Sequence, residues 1–169
     1  MRTLKLALLA TAATVAFSSA TFAADLIVME PAMIDNTVGF DWEGPYVGLW
    51  LGGQTTPSVY SLGANLGVNV MLDQSLLAGF EGEIAWLSDS SYQGDIEAKL
   101  GFVADVALIY AHVGVGSNSA TGAFVPVGVG AEFAVADNVS LKAEYTYQWD
   151  FDNSAQSAHV GKIGINFHF

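Results

Sequence analysis

Val139-Ser140-Leu141-Lys142-Ala143-Glu144-Tyr145-Thr146-Tyr147-Gln148-Trp149-Asp150-Phe151 alternates without an error: each odd position is apolar or aromatic and each even position is polar or charged. Successive side chains of an extended chain point to opposite faces. A period of two held this long therefore predicts a strand with one apolar and one polar face.

The same pattern recurs on both sides of this segment. Downstream, Ile163, Ile165, Phe167 and Phe169 oppose Lys162, Gly164, Asn166 and His168. Upstream, Val125, Val127, Val129, Phe133 and Val135 oppose Gly128, Gly130 and Glu132, and Tyr92, Ile96, Leu100 and Phe102 oppose Gln93, Asp95, Glu97 and Lys99. Leu76, Phe80, Ile84 and Trp86 oppose Gly79, Glu81 and Glu83, while Leu62, Leu66, Val68 and Val70 oppose Asn65 and Asn69. Two further runs, Tyr46 to Gly53 and Val106 to Gly116, are apolar on both faces, so their parity stays open. Turn-forming residues at Asp41, Asp73, Asp105 and Asp137, and the chain end at Phe169, are spaced by 32 residues, with Gly-, Ser- and Asn-rich pieces midway. Eight runs of about ten residues result, the length a tilted membrane-spanning strand needs.

Composition agrees. Of 169 residues, 52% are hydrophobic and only 13% are charged, about half the usual share of a soluble domain. The formal net charge is −12. No basic stripe exists for a phosphate backbone, which excludes nucleic acid as a partner. With no cysteine there is no disulfide, thiolate metal site or cysteine nucleophile. The apolar windows 100–116 and 120–136 are interrupted by Asp105, His112, Pro126 and Glu132 and are crowded with Gly and Val, which rules out a helical span.

Residues 1–23 read as a secretory signal peptide: Arg2 and Lys5 precede the apolar stretch Leu6 to Phe17, and small residues lead to cleavage after Ala23. What remains has Lys99, Lys142 and Lys162 against 17 acids, a net of −14. Residues 24–41 read as an extended periplasmic leader, with a lid over the periplasmic mouth as the alternative. Residues 42–169 form the barrel.

Alternation suits a soluble barrel as well as a membrane one. Three features put lipid outside. Small residues on the polar face (Gly48, Gly52, Gly63, Gly67, Gly79, Gly101, Gly128, Gly130, Gly164) fit a narrow interior. Apolar-face aromatics gather at strand ends as two girdles, Trp86, Tyr92, Tyr147 and Trp149 on one side, Phe102, Phe133, Phe167 and Phe169 on the other. The turns at Asp73, Asp105 and Asp137 also read as shorter than those opposite, the usual asymmetry between periplasmic and outer ends. The expected fold is all-β, an eight-stranded antiparallel up-and-down transmembrane barrel.

The start Asp41-Trp42-Glu43-Gly44-Pro45-Tyr46-Val47-Gly48, the eight strands and the ending Ile163-x-Ile165-x-Phe167-x-Phe169 together resemble the small "porin family" barrels, the OmpA-like, opacity-protein-like and RopB-like outer-membrane proteins of Gram-negative bacteria. The resemblance implies an envelope-structural or surface protein surrounded by outer-membrane lipid and lipopolysaccharide. It also implies recognition of the terminal Phe169 by the barrel assembly machinery. The surface loops here are short, which weakens any argument for host binding.

All three lysines carry the inward parity, because a lysine on lipid at mid-membrane costs about 2–4 kcal/mol. Hairpin arithmetic centred on the Asp137 turn, Asn153, Ser90 and the Ala104-Asp105 turn sets Glu132 opposite Lys142, Glu144 opposite Lys162, Glu81 opposite Lys99 and Glu97 opposite His112. With Glu83 these residues are expected to form an ion-pair layer plugging the lumen. His112 and His168 are expected to pack and hydrogen-bond there.

No catalytic, cofactor or metal residues are assigned. His159 with Ser157 is the only base–nucleophile candidate and lacks a carboxylate orienter, so a lipid A-modifying enzyme is a distant alternative. Asp150, Asp152 and Asn153 lack a fixed ligand pattern and read as solvated loop residues. Two functions compete: an envelope-structural barrel with a filled lumen, and a small cation-selective pore whose inward face holds seven acids against three lysines. Eight strands leave room for little but side chains, which favours the first.

Overall fold

The computed structural model describes residues 39–150 and 157–169. The signal peptide, residues 24–38 of the leader, and Phe151, Asp152 and Asn153 lie outside the described residues. The chain runs through eight strands: β1 (Gly44–Thr55), β2 (Ser58–Met71), β3 (Leu76–Leu87), β4 (Tyr92–Ala104), β5 (Ala107–Asn118), β6 (Gly122–Ala136), β7 (Val139–Asp150) and β8 (Ala158–His168). Each pairs antiparallel with its neighbour in sequence, and β8 closes on β1, so no edge is left to expose unpaired backbone. At 11 to 15 residues the strands are longer than the ten expected; turn-like residues such as Gln54 and Tyr60 are absorbed into the ladders.

Tyr46 neighbours His168 on β8; followed the other way round, the registers lead through Gly67, Glu81, Glu97, Gly114, Pro126 and Gln148 to Ala158, ten residues from His168. A stagger of this kind is what tilts the strands of a closed barrel. The pleat then sorts the faces. Even positions point inward on β1, β5, β6, β7 and β8, and odd positions on β2, β3 and β4. This resolves β1, where Tyr46, Gly48, Trp50 and Gly52 face the lumen, and β5, where Leu108, Tyr110 and His112 do.

Two registers differ from expectation by two residues, and in both the turn is the cause. The β3–β4 ladder pairs Gly79 with Lys99 and Glu81 with Glu97, so Glu81 is not directly opposite Lys99. Its turn centres on Asp89: the Ser91 amide and hydroxyl both donate to the Asp89 carboxylate, at 3.0 and 2.6 Å, and Ser90 takes the left-handed φ of 70°. These donors hold the Asp89 carboxyl below the ordinary aspartate range. The β4–β5 ladder pairs Lys99 with His112 and Glu97 with Gly114, because Asp105, with φ 56°, and Val106 make a two-residue turn one residue further along. A shift of two residues keeps every side chain on its face.

The expected loop asymmetry is present but modest: the connections 72–75, 105–106 and 137–138 have four, two and two residues, and those at the opposite end, 56–57, 88–91, 119–121 and 151–157, have two, four, three and seven.

The exterior is apolar along the ladders except at their ends on the β1–β2 and β7–β8 side, where Thr55, Ser58, Ser117 and His159 face outward. Trp86, Tyr92, Tyr147 and Trp149 face outward toward the end bearing the β3–β4 and β7–β8 connections; Phe102, Phe133, Phe167 and Phe169 face outward at the end holding both β1's start and the C-terminus. No described helix is long and apolar enough to cross a membrane.

Candidate functional site

The inward face holds two apolar clusters with buried charge between them, and the second cluster faces buried Gln93, Asn118, Gln148 and Asp150 on β4, β5 and β7. Toward the end with β1's start, Trp42, Leu77, Leu108 and Tyr110 form a buried apolar cluster, with Phe40, Met71, Val103 and Ala134 packed against it. Trp42 precedes β1 and folds back into the mouth: its indole Nε1 donates to the Asp105 carbonyl at 3.3 Å, and the Asn69 side-chain amide donates to the Trp42 backbone carbonyl at 3.0 Å. Phe40 packs tilted and His168 edge-on against it, their ring centroids 4.5 and 5.6 Å from the indole. Trp42, with Phe40 of the leader packed against it, thus fills this mouth. Toward the other end, Trp50, Ala85 and Leu87 make a second apolar cluster with Val59 against it.

Between the two lies the charge. Lys99, Lys142 and Lys162 are all buried, as are Glu81, Glu83, Asp95, Glu97, His112, Glu132 and Glu144. Lys142 Nζ sits 2.8 Å from Glu81 Oε1, 3.2 Å from Glu83 Oε1 and 3.8 Å from Glu144 Oε2. Lys162 Nζ lies 2.5 Å from Glu83 Oε2 and 2.8 Å from Glu144 Oε1, directly across the β7–β8 ladder from the latter. Lys99 reaches Glu132 at 3.6 Å and Glu81 at 4.0 Å, and its ammonium stands over the Tyr46 ring, 4.4 Å from the centroid. His112 Nδ1 is 2.7 Å from Glu97 Oε2 on a diagonal of the β4–β5 ladder, not directly opposite it.

Glu132 does face Lys142 across the β6–β7 ladder, but its partners are others: Ser140 and Asn166 donate to its Oε2 at 2.9 and 3.0 Å. The lysine stems reach across the barrel, where the carboxylates of the far wall are nearer than those of the neighbouring strand. Directly opposed side chains run alongside each other; in a lumen this narrow, long ones meet in the middle.

Several participants were not singled out from the sequence. Tyr46 Oη donates to Glu81 at 2.5 Å and Tyr110 Oη to Glu144 at 2.9 Å. Asn65 donates to both Glu81 and Asn166. The tyrosines were hidden because their strands are apolar on both faces. The signal that would have found them is glycine: a Cβ at Gly67 would overlap the Tyr46 ring, one at Gly63 the Trp50 indole and one at Gly130 the Tyr110 ring. Each large inward ring lies over a missing side chain on the next strand.

The catalytic candidate does not assemble. His159 faces outward, its Nδ1 2.6 Å from Tyr145 Oη and its ring against Tyr147, while Ser157 Oγ accepts from the Asp150 amide at 3.4 Å. Asp150 itself points into the lumen and is not a solvated loop acid.

Comparison with known proteins agrees with the architecture. Residues 9–169 match the family model described as outer membrane protein beta-barrel domain. The 25 kDa outer-membrane immunogenic protein of Brucella ovis is 26% identical over 204 residues, spanning 100% of both chains. Among solved structures, a de novo designed transmembrane β-barrel superposes with a TM-score of 0.60 at 17% identity, over 78% of this chain and 99% of that one. The outer-membrane enzyme PagL gives 0.57 at 14%, over 73% and 99%. A designed barrel and an enzyme on one scaffold show that these likenesses speak to fold and not to activity. The closed eight-stranded barrel, its apolar exterior and the family match lead to one conclusion: the chain belongs to the outer membrane protein beta-barrel domain family and is an outer-membrane protein.

Proposed function

We propose that this protein is a structural component of the outer membrane whose lumen is permanently filled, with no catalytic role. One observation carries the reading: the interior is packed along its length, with an apolar cluster around Trp42, buried ion pairs around Lys142, and beyond them the Trp50 cluster on the β1–β3 wall facing buried Gln93, Asn118, Gln148 and Asp150. A hydrated ion crossing such an interior would have to displace packed rings and break ion pairs in turn. The signal peptide, the aromatic girdles as lipid and lipopolysaccharide contacts, and Phe169 as the assembly signal belong to the same reading.

The alternative, a small cation-selective porin, draws on the surplus of inward acids: Glu81, Glu83, Asp95, Glu97, Glu132, Glu144 and Asp150 against three lysines. The measurement that separates the two is single-channel conductance in a planar bilayer. The filled lumen predicts no stable open level. Steady cation-selective steps would establish the porin instead.

A further inference from the structure

His112 stands on β5 between two carboxylates, one on each edge of its ring. Nδ1 is 2.7 Å from Glu97 Oε2 on β4, and Nε2 is 3.8 Å from Glu144 Oε1 on β7. His112 is 3% exposed and Glu97 2%. The ring has room beside β6 because Gly128 opposes it there; a Cβ at that position would overlap Nε2.

The donors around the ring fix its charge. Thr146 Oγ1 donates to Glu144 Oε1 at 3.3 Å, so its one proton is committed. Toward His112 Nε2, 3.5 Å away, the same oxygen can then only accept, and Nε2 must carry a hydrogen. A neutral imidazole has no second one, so its Nδ1 would present a lone pair to the Glu97 carboxylate. At 2.7 Å two such electron-rich atoms repel. Nδ1 makes no aligned hydrogen bond either, which leaves the short contact as one between opposite charges. The Glu144 carboxylate on the far edge favours the second proton on the ring over Glu97.

No other cation meets Glu97. Lys99 faces His112 directly across the β4–β5 ladder, but its ammonium turns to Glu132 and the Tyr46 ring. Lys162 on β8 is held by Glu83 and Glu144. The Tyr110 ring lies beside the imidazole on β5 and sends its hydroxyl to Glu144. β6 presents only Gly128 to the ring, and Asp95, the next inward residue on β4, adds negative charge. Glu97 Oε1 is itself buried without a hydrogen-bond partner. A bare carboxylate left there would be among the costliest groups in the lumen.

We propose that His112 is an imidazolium in the folded barrel at neutral pH, a fourth cation beside the three lysines, and that its two carboxylate contacts form a proton-dependent clasp joining β4, β5 and β7. Folding then binds a proton that the unfolded chain releases above about pH 6.5, the ordinary imidazole value. Below that both forms hold the proton, and the clasp contributes in full. Above it the unfolded chain binds fewer protons than the barrel, so stability falls as pH rises, until the folded lumen also gives its proton up. The clasp thus loosens the barrel in alkaline medium.

The test is nitrogen NMR of the whole 15N-labelled protein refolded into detergent micelles, with urea unfolding as a second readout. At about pH 8, where an ordinary imidazole is neutral, both ring nitrogens of His112 should resonate as N–H nitrogens. Ring-proton contacts with Gly128 single this histidine out from His159 and His168. Between about pH 7 and about pH 9 the unfolding constant of the wild type should rise more steeply than that of the double variant Glu97→Gln, His112→Asn. The difference should approach about tenfold per pH unit, the factor one linked proton supplies. The proposal is overturned if one His112 ring nitrogen is bare at about pH 8, or if the two proteins share one pH dependence. The wild-type spectrum decides the matter where the double variant does not fold.

Discussion

Lys142 and Glu132 face one another across the β6–β7 ladder, yet the Lys142 ammonium pairs with Glu81, 2.8 Å away on the other side of the lumen. Register fixes which backbones are neighbours; in a narrow barrel it does not fix which charges meet. The difference has a direct energetic consequence, because the residue left uncompensated when Lys142 is lost is on β3, not on β6.

Lys142→Met should therefore destabilise the barrel by about 3–5 kcal/mol, the usual cost of stripping one partner from a buried pair. Adding Glu81→Gln should recover part of that loss, since a neutral amide no longer needs the ammonium. Adding Glu132→Gln should recover none, because Glu132 is held by Ser140 and Asn166. Urea unfolding midpoints in detergent or lipid rank the three proteins. A rescue by Glu132→Gln equal to that by Glu81→Gln would mean that the cross-lumen pairing is wrong.

The Tyr46 hydroxyl supports the same carboxylate from β1, donating to Glu81 Oε2 at 2.5 Å. Tyr46→Phe keeps the ring under the Lys99 ammonium and removes only this donor. A hydrogen bond to a charged group contributes about 1.5–3 kcal/mol, so the variant should unfold earlier by an amount in that range. Tyr147→Phe, on the outward face, serves as the control and should leave the midpoint in place.

How much of this was legible in the sequence follows from what each signal measures. Alternation reports a face, so the strands, the closed barrel and the inward lysines could be read from charges alone, most clearly in β7. Register depends on turns, and Ser90 and Asp105 adopt left-handed backbone that residue type does not announce for serine; the two turns they make moved Glu81 and Glu97 two places. Tyr46, Trp50 and Tyr110 were illegible for another reason. A large aromatic ring is welcome on lipid and in a core alike, so an apolar strand such as β1 gives no contrast between its faces. Only the glycines on adjoining strands carry that information, and they acquire it once the register is known.

Those glycines yield a contrast that substitution can check. Gly67→Ala and Gly63→Ala place a methyl against the Tyr46 and Trp50 rings, and overpacking of a tight interior costs about 1–3 kcal/mol. Gly161 faces outward on β8 with open space where a Cβ would go. Gly161→Ala should lie within about 0.5 kcal/mol of the parent, as surface changes do. Equal effects at Gly161 and Gly67 would indicate that the penalty comes from backbone freedom and not from the rings.

The packed lumen makes a stronger claim than closure by any single side chain. Trp42 is 2% exposed and caps one end through its contacts with Leu77, Leu108 and Tyr110; removing a buried tryptophan costs about 3–5 kcal/mol through lost contact and the cavity left behind. Trp42→Ala should accordingly lower stability by that order. It should not create a channel, because the Lys142 ion pairs and the packed residues around Trp50 remain beyond the vacated space. Trp50→Ala should behave the same way from the opposite end, with the ion pairs and the Trp42 cluster still in place. Planar-bilayer recordings of each single variant should therefore match the parent while their unfolding midpoints fall. A Trp42→Ala barrel that opened to steady conductance would show that the mouth alone holds the lumen shut, and that the charged layer behind it is hydrated and permeable.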